Sequence, residues 1–172
     1  MLKPKHDFVS DEEFFVYHWL KEAERYGLVS DINYQPEPFI LCPRASVPVT
    51  KRLKTKSKTV DKFLFHPHQY TADFQFVVSQ GLSHLFVSPQ FGREVITIDV
   101  KGSFNLHGDP KQFAINCKWV WDKFNVHVEK IIPEKLFKKS FVPEICRFSP
   151  VLKKPVKKYL GVKTIKEYLE IK

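Results

Sequence analysis

Two apolar, strand-like segments of this chain each contain an aspartate. Asp73 lies in "YTADF" (residues 70–74), and Asp99 lies in "TIDVKG" (residues 97–102), where Lys101 follows two positions later. The longer segment "EVITIDVKG" is rich in β-branched residues, as is typical of a strand buried on both faces of a sheet. A buried, unpaired carboxylate is costly, so the fold must bring positive charge to these aspartates.

Helical patterns flank these segments. Residues 10–27 predict an amphipathic helix that covers a sheet. A second amphipathic helix is expected within residues 107–125, with Asp109 as its N-cap and Pro110 as its first helical residue.

Four extended segments complete the predicted secondary structure, at residues 28–41, 63–79, 92–102 and 126–132. We expect 63–79 to be a strand that pairs antiparallel with 92–102. The order helix, strand, strand, strand, helix, strand predicts an α/β fold with a central mixed β-sheet flanked by helices.

The length and composition predict a single domain. A chain of 172 residues that is 43% hydrophobic and contains 16 Phe has enough apolar surface for one packed core. We expect residues 1–135 to form the core, with a basic insertion at about 44–62. Residues 136–172 are expected to form a basic C-terminal extension packed on the same domain.

Positive charge dominates, with 28 Lys and Arg against 19 Asp and Glu and a formal net charge of +9. This balance favours polyanionic partners, nucleic acid first and an anionic membrane surface second. Residues 51–62 are expected to form an exposed hairpin arm or a disordered loop. They either contact phosphates or only aid solubility, and their position immediately before the strand of Asp73 favours DNA contact. Their cations are Lys51, Arg52, Lys54, Lys56, Lys58 and Lys62. A C-terminal group could clamp DNA or bind a partner: Lys153, Lys154, Lys157, Lys158, Lys163 and Lys166.

Membrane and disulfide signals are weak in this sequence. No apolar run approaches the roughly 20 residues that span a bilayer, and "MLKPKHDF" has no apolar signal core. A soluble cytoplasmic protein without a membrane partner is expected. Cys42, Cys117 and Cys146 lack CxxC spacing, so they predict neither a disulfide framework nor a structural zinc site.

A divalent cation is the simplest way to place two carboxylates on adjacent strands. Asp73 and Asp99 can each give an oxygen to Mg²⁺, which also accepts a main-chain carbonyl and waters. Alternation along a strand puts Lys101 on the same face as Asp99, where it could orient or deprotonate a water that attacks phosphorus. The alternative is that Asp73 forms a turn and that Asp99 and Lys101 form a solvated ion pair.

The aspartate of "YTADF" followed by "IDVKG" resembles the signature of the PD-(D/E)XK nuclease superfamily. In that superfamily a first aspartate and a D-x-K or E-x-K triplet lie on consecutive strands. Residues of about 10–130 resemble its small phage and mobile-element nucleases, including Holliday-junction-resolvase-like and transposon-end-cleaving groups. Ala72 replaces the proline of the name-giving pattern without removing a charge. The resemblance implies a restriction-endonuclease-like core and a Mg²⁺-dependent endodeoxyribonuclease in which Mn²⁺ can substitute.

The resemblance also implies roles for particular residues. Asp73, Asp99 and the Val100 carbonyl would hold the metal, and Lys101 would activate or position water. A glutamate on the preceding helix would complete the catalytic and metal-binding cluster. Glu13 matches that position best and Glu12 is the alternative, although Glu13 also fits a local capping box.

Further residues are assigned accessory roles. Gln35 resembles a recurrent glutamine near the catalytic cluster of these nucleases. Lys118, on the second helix, is predicted to bind DNA, whereas Lys111 fits a solvated helix face. His66 and His68 raise a zinc hypothesis, but substrate contact by His68 or a plain loop position is favoured because no third spaced ligand accompanies them.

The implied partner is DNA, and no separate recognition domain is visible. This favours structure-selective cleavage of junctions or branched DNA in recombination, replication or mobile-element processing. The protein could act as a homodimer or with a targeting protein as its partner. The implied location is the nucleoid or a phage-infected host cell. The alternative is a non-catalytic DNA-binding or assembly protein with a nuclease-like fold.

Overall fold

The computed structural model describes residues 3–102, 110–149 and 154–170. The predicted N-cap Asp109 and the basic residue Lys153 lie outside these residues. Within them the chain forms eight strands and six helices, together with three short 3₁₀ turns at Lys5–Asp7, Ser88–Phe91 and Lys157–Tyr159.

A four-stranded sheet forms the centre of the fold. Its strands, in spatial order, are β1 (Val29–Tyr34), β6 (Phe74–Val78), β7 (Val95–Val100) and β8 (Val128–Ile131). The pairs β1/β6 and β6/β7 are antiparallel, whereas β7/β8 is parallel. The predicted α/β class with a central mixed sheet is therefore confirmed.

The helices are α1 (Asp11–Arg25), α2 (Gln80–Ser83), α3 (Pro110–Phe124), α4 (Pro133–Lys139), α5 (Glu144–Arg147) and α6 (Ile165–Tyr168). The first begins as the sequence predicts, because the Ser10 hydroxyl accepts a 3.2 Å hydrogen bond from the Glu13 N–H. Its apolar residues Val16, Trp19 and Leu20 are fully buried, so α1 covers one face of the sheet.

Two short antiparallel pairs lie outside the central sheet. The strands β2 (Phe39–Cys42) and β5 (His68–Tyr70) pair with each other, as do β3 (Ala45–Arg52) and β4 (Ser57–Phe65). The basic segment is thus a hairpin arm in the structure.

The prediction of one strand over 63–79 is wrong. That stretch contains the end of β4, all of β5 and then β6. Pro67 lies at the first break, where its missing N–H removes a ladder hydrogen bond. The second break, at residues 71–73, moves the chain from the short pair into the central sheet.

Alternation along β7 separates the two faces of the sheet. Ile96, Ile98 and Val100 enter the larger core, which also contains Trp19 and Phe74. Side chains at 97, 99 and 101 therefore point to the opposite face. A second cluster lies there, formed by Leu41, Tyr70, Ala72, Val120 and Val128, with Phe113 and Cys117 of α3 packed against it. The strand carrying Asp99 is buried on both sides, as its composition predicts.

The C-terminal segment contributes to the larger core. Its buried members include Phe137, Phe141, Val142, Cys146, Tyr159 and Ile165. Trp19 of α1 stacks on Phe141 with ring centroids 5.2 Å apart, and its indole N–H donates a 3.1 Å hydrogen bond to the Ser140 hydroxyl. These contacts join the first helix directly to residues after 136.

No helix in the described parts of the chain has both the length and the apolar character needed to cross a membrane. All three cysteines are free thiols. Cys42 and Cys117 are half-buried and Cys146 is buried.

Candidate functional site

Asp99 is a buried carboxylate near the end of β7, with only 4% of its surface exposed. The Tyr70 hydroxyl donates a 2.6 Å hydrogen bond to its Oδ2. Lys101 Nζ forms an ion pair with Oδ1. The pair does not have hydrogen-bond geometry, so Oδ1 is a buried oxygen without a hydrogen-bond donor among the described residues. Asp99 therefore has one oxygen held by the Tyr70 hydroxyl and the other paired with the Lys101 ammonium group.

Asp73 lies immediately before β6, and three hydrogen bonds fix it. Its N–H donates to the Ile98 carbonyl at 3.0 Å, and its carbonyl accepts from the Gln35 N–H at 2.9 Å. Its Oδ2 accepts a 2.6 Å hydrogen bond from the Val100 N–H, the peptide that follows Asp99. The two predicted acidic residues are thus brought together at one end of the central sheet.

The proximity of the carboxylates changes the protonation of Asp73. Burial, followed by the charge of Asp99, raises the pKa of Asp73 from 3.8 to about 7. The hydrogen bond from Val100 and the charge of Lys101 act in the opposite direction but do not cancel the rise. At neutral pH the Asp73 carboxyl is therefore partly protonated, and a cation beside it would favour the ionised form.

Glu13 is the third acidic residue, on the first turn of α1, and it is buried. Its Oε2 accepts a 2.8 Å hydrogen bond from the Tyr34 hydroxyl, and its Oε1 accepts one of 3.0 Å from the Ser10 hydroxyl. Its charge contributes to the raised pKa of Asp73. Glu12 acts instead on Tyr159, in the C-terminal segment. Of the two glutamates, Glu13 is thus the one on the Asp73 side, and its carboxylate also accepts from the hydroxyl of Ser10, the residue that caps α1.

Tyr34 connects Glu13 with Gln35. Burial and the hydrogen bond to Glu13 raise the pKa of Tyr34 to about 12. Gln35 Nε2 lies 3.3 Å from the Tyr34 hydroxyl, and the Gln35 backbone has a φ of 50°, in the left-handed region. A glutamine in that conformation is strained unless its surroundings hold it, as the bond from its N–H to Asp73 does. Gln35 therefore positions the Asp73 main chain.

Helix α3 covers the other side of the Asp99 carboxylate. Lys101 Nζ lies 5.7 Å from the centre of the Phe113 ring. Burial, followed by the charge of Asp99, raises the pKa of Cys117 to about 11. The Lys101 side chain is 33% exposed, so its ammonium group reaches both the buried carboxylate and the surface.

The histidines are held away from the carboxylates. His68 Nε2 lies 2.8 Å from the buried Asn116 Oδ1, and its ring packs edge-to-face on Trp119 at 5.5 Å. His66 packs on Phe63 with ring centroids 4.7 Å apart. Neither contact joins a histidine to Asp73, so these contacts do not support a zinc site at Asp73.

The predicted DNA-binding cations lie at the surface of the protein. Lys118 is exposed on α3, as is Lys111, for which a solvated helix face is predicted. The arm residues Lys51, Arg52, Lys54, Lys56 and Lys58 are exposed along β3, β4 and the turn between them. The structure therefore leaves these side chains at the surface, and their partner stays a prediction.

Within residues 3–102, 110–149 and 154–170, no three Asp, Glu, His or Cys side chains form a group that could hold a metal ion. Mg²⁺ commonly uses one or two carboxylates and keeps several waters. Asp73 and Asp99 are neighbouring carboxylates, and their binding of Mg²⁺ stays a prediction.

Tyr70 and Tyr34 are site residues that the sequence interpretation missed. Each lies close in sequence to a predicted residue, Tyr70 three positions before Asp73 and Tyr34 next to Gln35. Neither shows a periodicity that would signal contact with a carboxylate. Burial and the charge of Asp99 raise the pKa of Tyr70 far above its usual value, so it remains a hydrogen-bond donor.

Glu129 shows what a purely structural buried acid looks like in this fold. Its Oε1 accepts hydrogen bonds from the Val87 N–H at 2.9 Å, the Ser88 N–H at 3.0 Å and the Ser88 hydroxyl at 3.1 Å. These bonds hold the turn at Ser88–Phe91 against β8. Asp99 differs because its partners are side chains, the Tyr70 hydroxyl and the Lys101 ammonium group, and not the main chain of a turn.

Comparisons of this chain with the models of known protein families, with curated proteins and with solved structures gave no match. Functional interpretation therefore rests on the contacts described above.

Proposed function

We propose that this protein is a Mg²⁺-dependent DNA endonuclease that hydrolyses phosphodiester bonds on a restriction-endonuclease-like core. The observation that carries the proposal is the juxtaposition of Asp73 and Asp99, with the Lys101 ammonium group paired to the buried Asp99 carboxylate. A purely structural carboxylate pair would gain nothing from this arrangement, since like charges resist burial together.

The order of elements supports the proposal. The acidic helix α1 precedes the sheet, and the two aspartates lie on the consecutive, antiparallel strands β6 and β7 or directly beside them. This is the placement that the PD-(D/E)XK resemblance implies for a helix glutamate, a first aspartate and a D-x-K triplet. Glu13 on α1 faces the same acidic group.

Each residue has a distinct task in this proposal. Asp73, Asp99 and the Val100 carbonyl would hold the ion, and Glu13 would complete the acidic cluster. When bound, Mg²⁺ lowers the pKa of a coordinated water and offsets charge on the phosphate, and Mn²⁺ is expected to substitute. Tyr70 would keep the Asp99 carboxylate in position through the Oδ2 hydrogen bond.

Lys101 is the group that would turn a cation site into a hydrolytic site. Its ammonium group lies at the edge of the buried pair and is partly exposed, so it can contact a phosphate that arrives from solvent. It would position or activate the attacking water and stabilise charge that develops on the phosphate oxygens. Methionine, which matches much of its length without the charge, is the informative replacement.

DNA is the proposed substrate because of the charge distribution. The chain has a net charge of +9, and the exposed β3–β4 arm carries a group of cations next to the elements that form the site. Contacts of lysine and arginine with phosphates position a duplex without reading its sequence. A preference for branched DNA follows from the absence of a recognised base-reading motif in the sequence.

The test is cleavage of a panel of labelled duplex, nicked and four-way-branched DNAs in Mg²⁺. We expect cuts that leave 5′- or 3′-phosphate ends, that EDTA abolishes and that Mn²⁺ supports. Lys101→Met is expected to lower the cleavage rate by roughly 100-fold or more. Lys123→Met, at an exposed position of α3 with no predicted contact to DNA, provides a charge-matched control. Equal cleavage by wild type and Lys101→Met would contradict the assignment.

One observation favours a second candidate, a DNA-binding protein with this fold and no hydrolytic activity. Lys101 forms an ion pair with the buried Asp99, and this pair balances the charge of the carboxylate within the protein. On that account the pair is structural, DNA binding is salt-dependent, and no divalent cation gives cleavage. The same panel separates the two candidates.

A further inference from the structure

The β3–β4 arm has almost no core of its own. Its strands pair from Ala45↔Phe65 to Arg52↔Ser57, and in the described residues they join no other sheet. Both faces are exposed, with Ala45, Val49 and Val60 only half-buried. An isolated two-stranded hairpin is marginally stable in water, so this arm is suited to being held by a partner.

The base of the arm is joined to the acidic site. The strands β2 and β5 continue the hairpin beyond breaks that contain Pro43 and Pro67, and they pack beneath α3 through Leu41 and Tyr70. Tyr70 is the residue that donates to Asp99. At about 3.3 Å per residue, the eight paired residues of β3 extend the arm roughly 26 Å beyond this base.

The charges of the arm indicate a polyanionic partner. Lys51 and Lys58 are directly opposite each other in the strand register. Like charges at opposed positions destabilise a hairpin. Lys54 and Lys56 add two charges in the turn, and Asp61 is the single acid within 51–62. A polyanion would relieve this repulsion.

The tip of the arm carries an apolar side chain among these cations. The turn is closed by a 2.8 Å hydrogen bond from the Leu53 N–H to the Lys56 carbonyl. Leu53 is 51% exposed and is flanked in sequence by Arg52 and Lys54. Apolar side chains presented by basic arms act as wedges that enter a base step and partly unstack it.

We propose that the β3–β4 arm lies in the minor groove of duplex DNA and that Leu53 inserts at a base step. The substrate class is then DNA with an already weakened step, such as a gap, a nick or a branch point. Unstacking costs free energy, and an interrupted duplex has lost part of that stacking beforehand. This inference deepens the proposed function, since it rests on DNA being the partner, but it needs no hydrolysis.

DNA fits the arm better than the other polyanions do. An A-form RNA duplex has a wide, shallow minor groove and a deep, narrow major groove, so it offers a poor match to a ribbon with a wedge. An anionic membrane is expected to bind a basic amphipathic helix, whereas this arm is a β-ribbon with cations on both strands. RNA duplexes and anionic vesicles therefore serve as outcomes of the test.

The experiment measures binding of the full chain in EDTA, so that no cleavage occurs. The probes are an intact 30-base-pair duplex and the same duplex with a one-nucleotide gap, each with 2-aminopurine beside the central step. We expect wild type to bind the gapped duplex about fivefold or more tightly and to raise the 2-aminopurine fluorescence. Leu53→Ala should reduce that preference to within about twofold and remove the fluorescence change.

Two further variants separate the wedge from the charges. Thr55→Ala changes an exposed residue in the same turn and should retain the preference and the fluorescence change. Replacing Lys51 and Lys58 together with alanine should weaken binding to both duplexes by a similar factor and reduce its salt dependence.

If Leu53→Ala keeps the wild-type preference for the gapped duplex, the proposed insertion of Leu53 is wrong. Equal or tighter binding of wild type to an RNA duplex or to phosphatidylserine vesicles would also overturn it. The nuclease proposal fails separately, if a protein that binds gapped DNA through Leu53 gives no cleavage in Mg²⁺. Conversely, Leu53 could have no role in binding while cleavage still depends on Asp99. That result would contradict only the proposed insertion of Leu53.

Discussion

The Val100 N–H donates a 2.6 Å hydrogen bond to Asp73 Oδ2, and so the first aspartate is fastened to the strand that carries the second. The contact explains how two acids 26 positions apart in sequence meet at one end of the central sheet. It also holds the Asp73 carboxyl in a buried setting where its pKa rises to about 7.

Without metal, stability should fall as the pH rises through neutrality. The folded state keeps the Asp73 proton up to a pKa of about 7, whereas the unfolded chain releases it near 3.8. The folded state thus binds more protons between these values, so the free energy of unfolding decreases as pH increases across them. We expect a loss on the order of 2–4 kcal/mol between pH 4 and pH 8. Urea denaturation in EDTA measures it.

Asp73→Asn should flatten this pH dependence, because asparagine has no proton to lose. Asp122→Asn, which changes an exposed acid on α3, should leave it intact. A wild-type slope in Asp73→Asn would show that another group is responsible.

Mg²⁺ should stabilise the protein more at pH 8 than at pH 6. A metal displaces the Asp73 proton, and below a pKa of about 7 binding must work against protonation. Thermal unfolding with 10 mM Mg²⁺ or with EDTA should show the larger rise in Tm at pH 8. Chelation should reverse it. Identical shifts in wild type and Asp73→Asn would place the metal elsewhere.

Tyr70→Phe should destabilise the protein and weaken cleavage. It removes the donor to Asp99 Oδ2 and leaves that buried oxygen unpaired. The expected cost is about 1–3 kcal/mol in the free energy of unfolding. Tyr26→Phe is the matched control, since Tyr26 is exposed at the end of α1. Equal stability of the two variants would mean that the hydroxyl contributes nothing at Asp99.

The stability of Gln35 variants should depend on how well each residue tolerates the backbone conformation at this position. Its φ of 50° is available to glycine without penalty but unfavourable for a β-branched residue. Gln35→Val is expected to lower the free energy of unfolding by about 1–3 kcal/mol, and Gln35→Gly to change it far less. Chemical denaturation of both variants provides the measurement, and a tolerated valine would show that the turn relaxes.

The larger features of the fold could be predicted because they follow from local patterns. The cap of α1 at Ser10 and the buried β7 come from short-range signals, and both are observed. The shared face of Asp99 and Lys101 follows from strand alternation. For these residues, the neighbouring positions in the sequence are enough to predict the local structure and burial.

The remaining features depend on contacts between distant segments. The split of residues 63–79 among β4, β5 and β6 reflects Pro67 and the switch between sheets, which an apolar run does not encode. The choice of Glu13 over Glu12 follows from how α1 packs, since adjacent helical residues point about 100° apart. The bond from Tyr70 to Asp99 joins positions whose pairing needs the complete second cluster.

We propose that Asp73 and Asp99 form the centre of phosphodiester hydrolysis. Single-turnover cleavage of labelled branched DNA in Mg²⁺ at pH 8 tests it most directly, with Asp99→Asn compared against the control Asp122→Asn. We predict that Asp99→Asn lowers the rate by about 100-fold or more while it still binds the DNA, and that Asp122→Asn cleaves like wild type. Cleavage by Asp99→Asn at the wild-type rate would contradict the account.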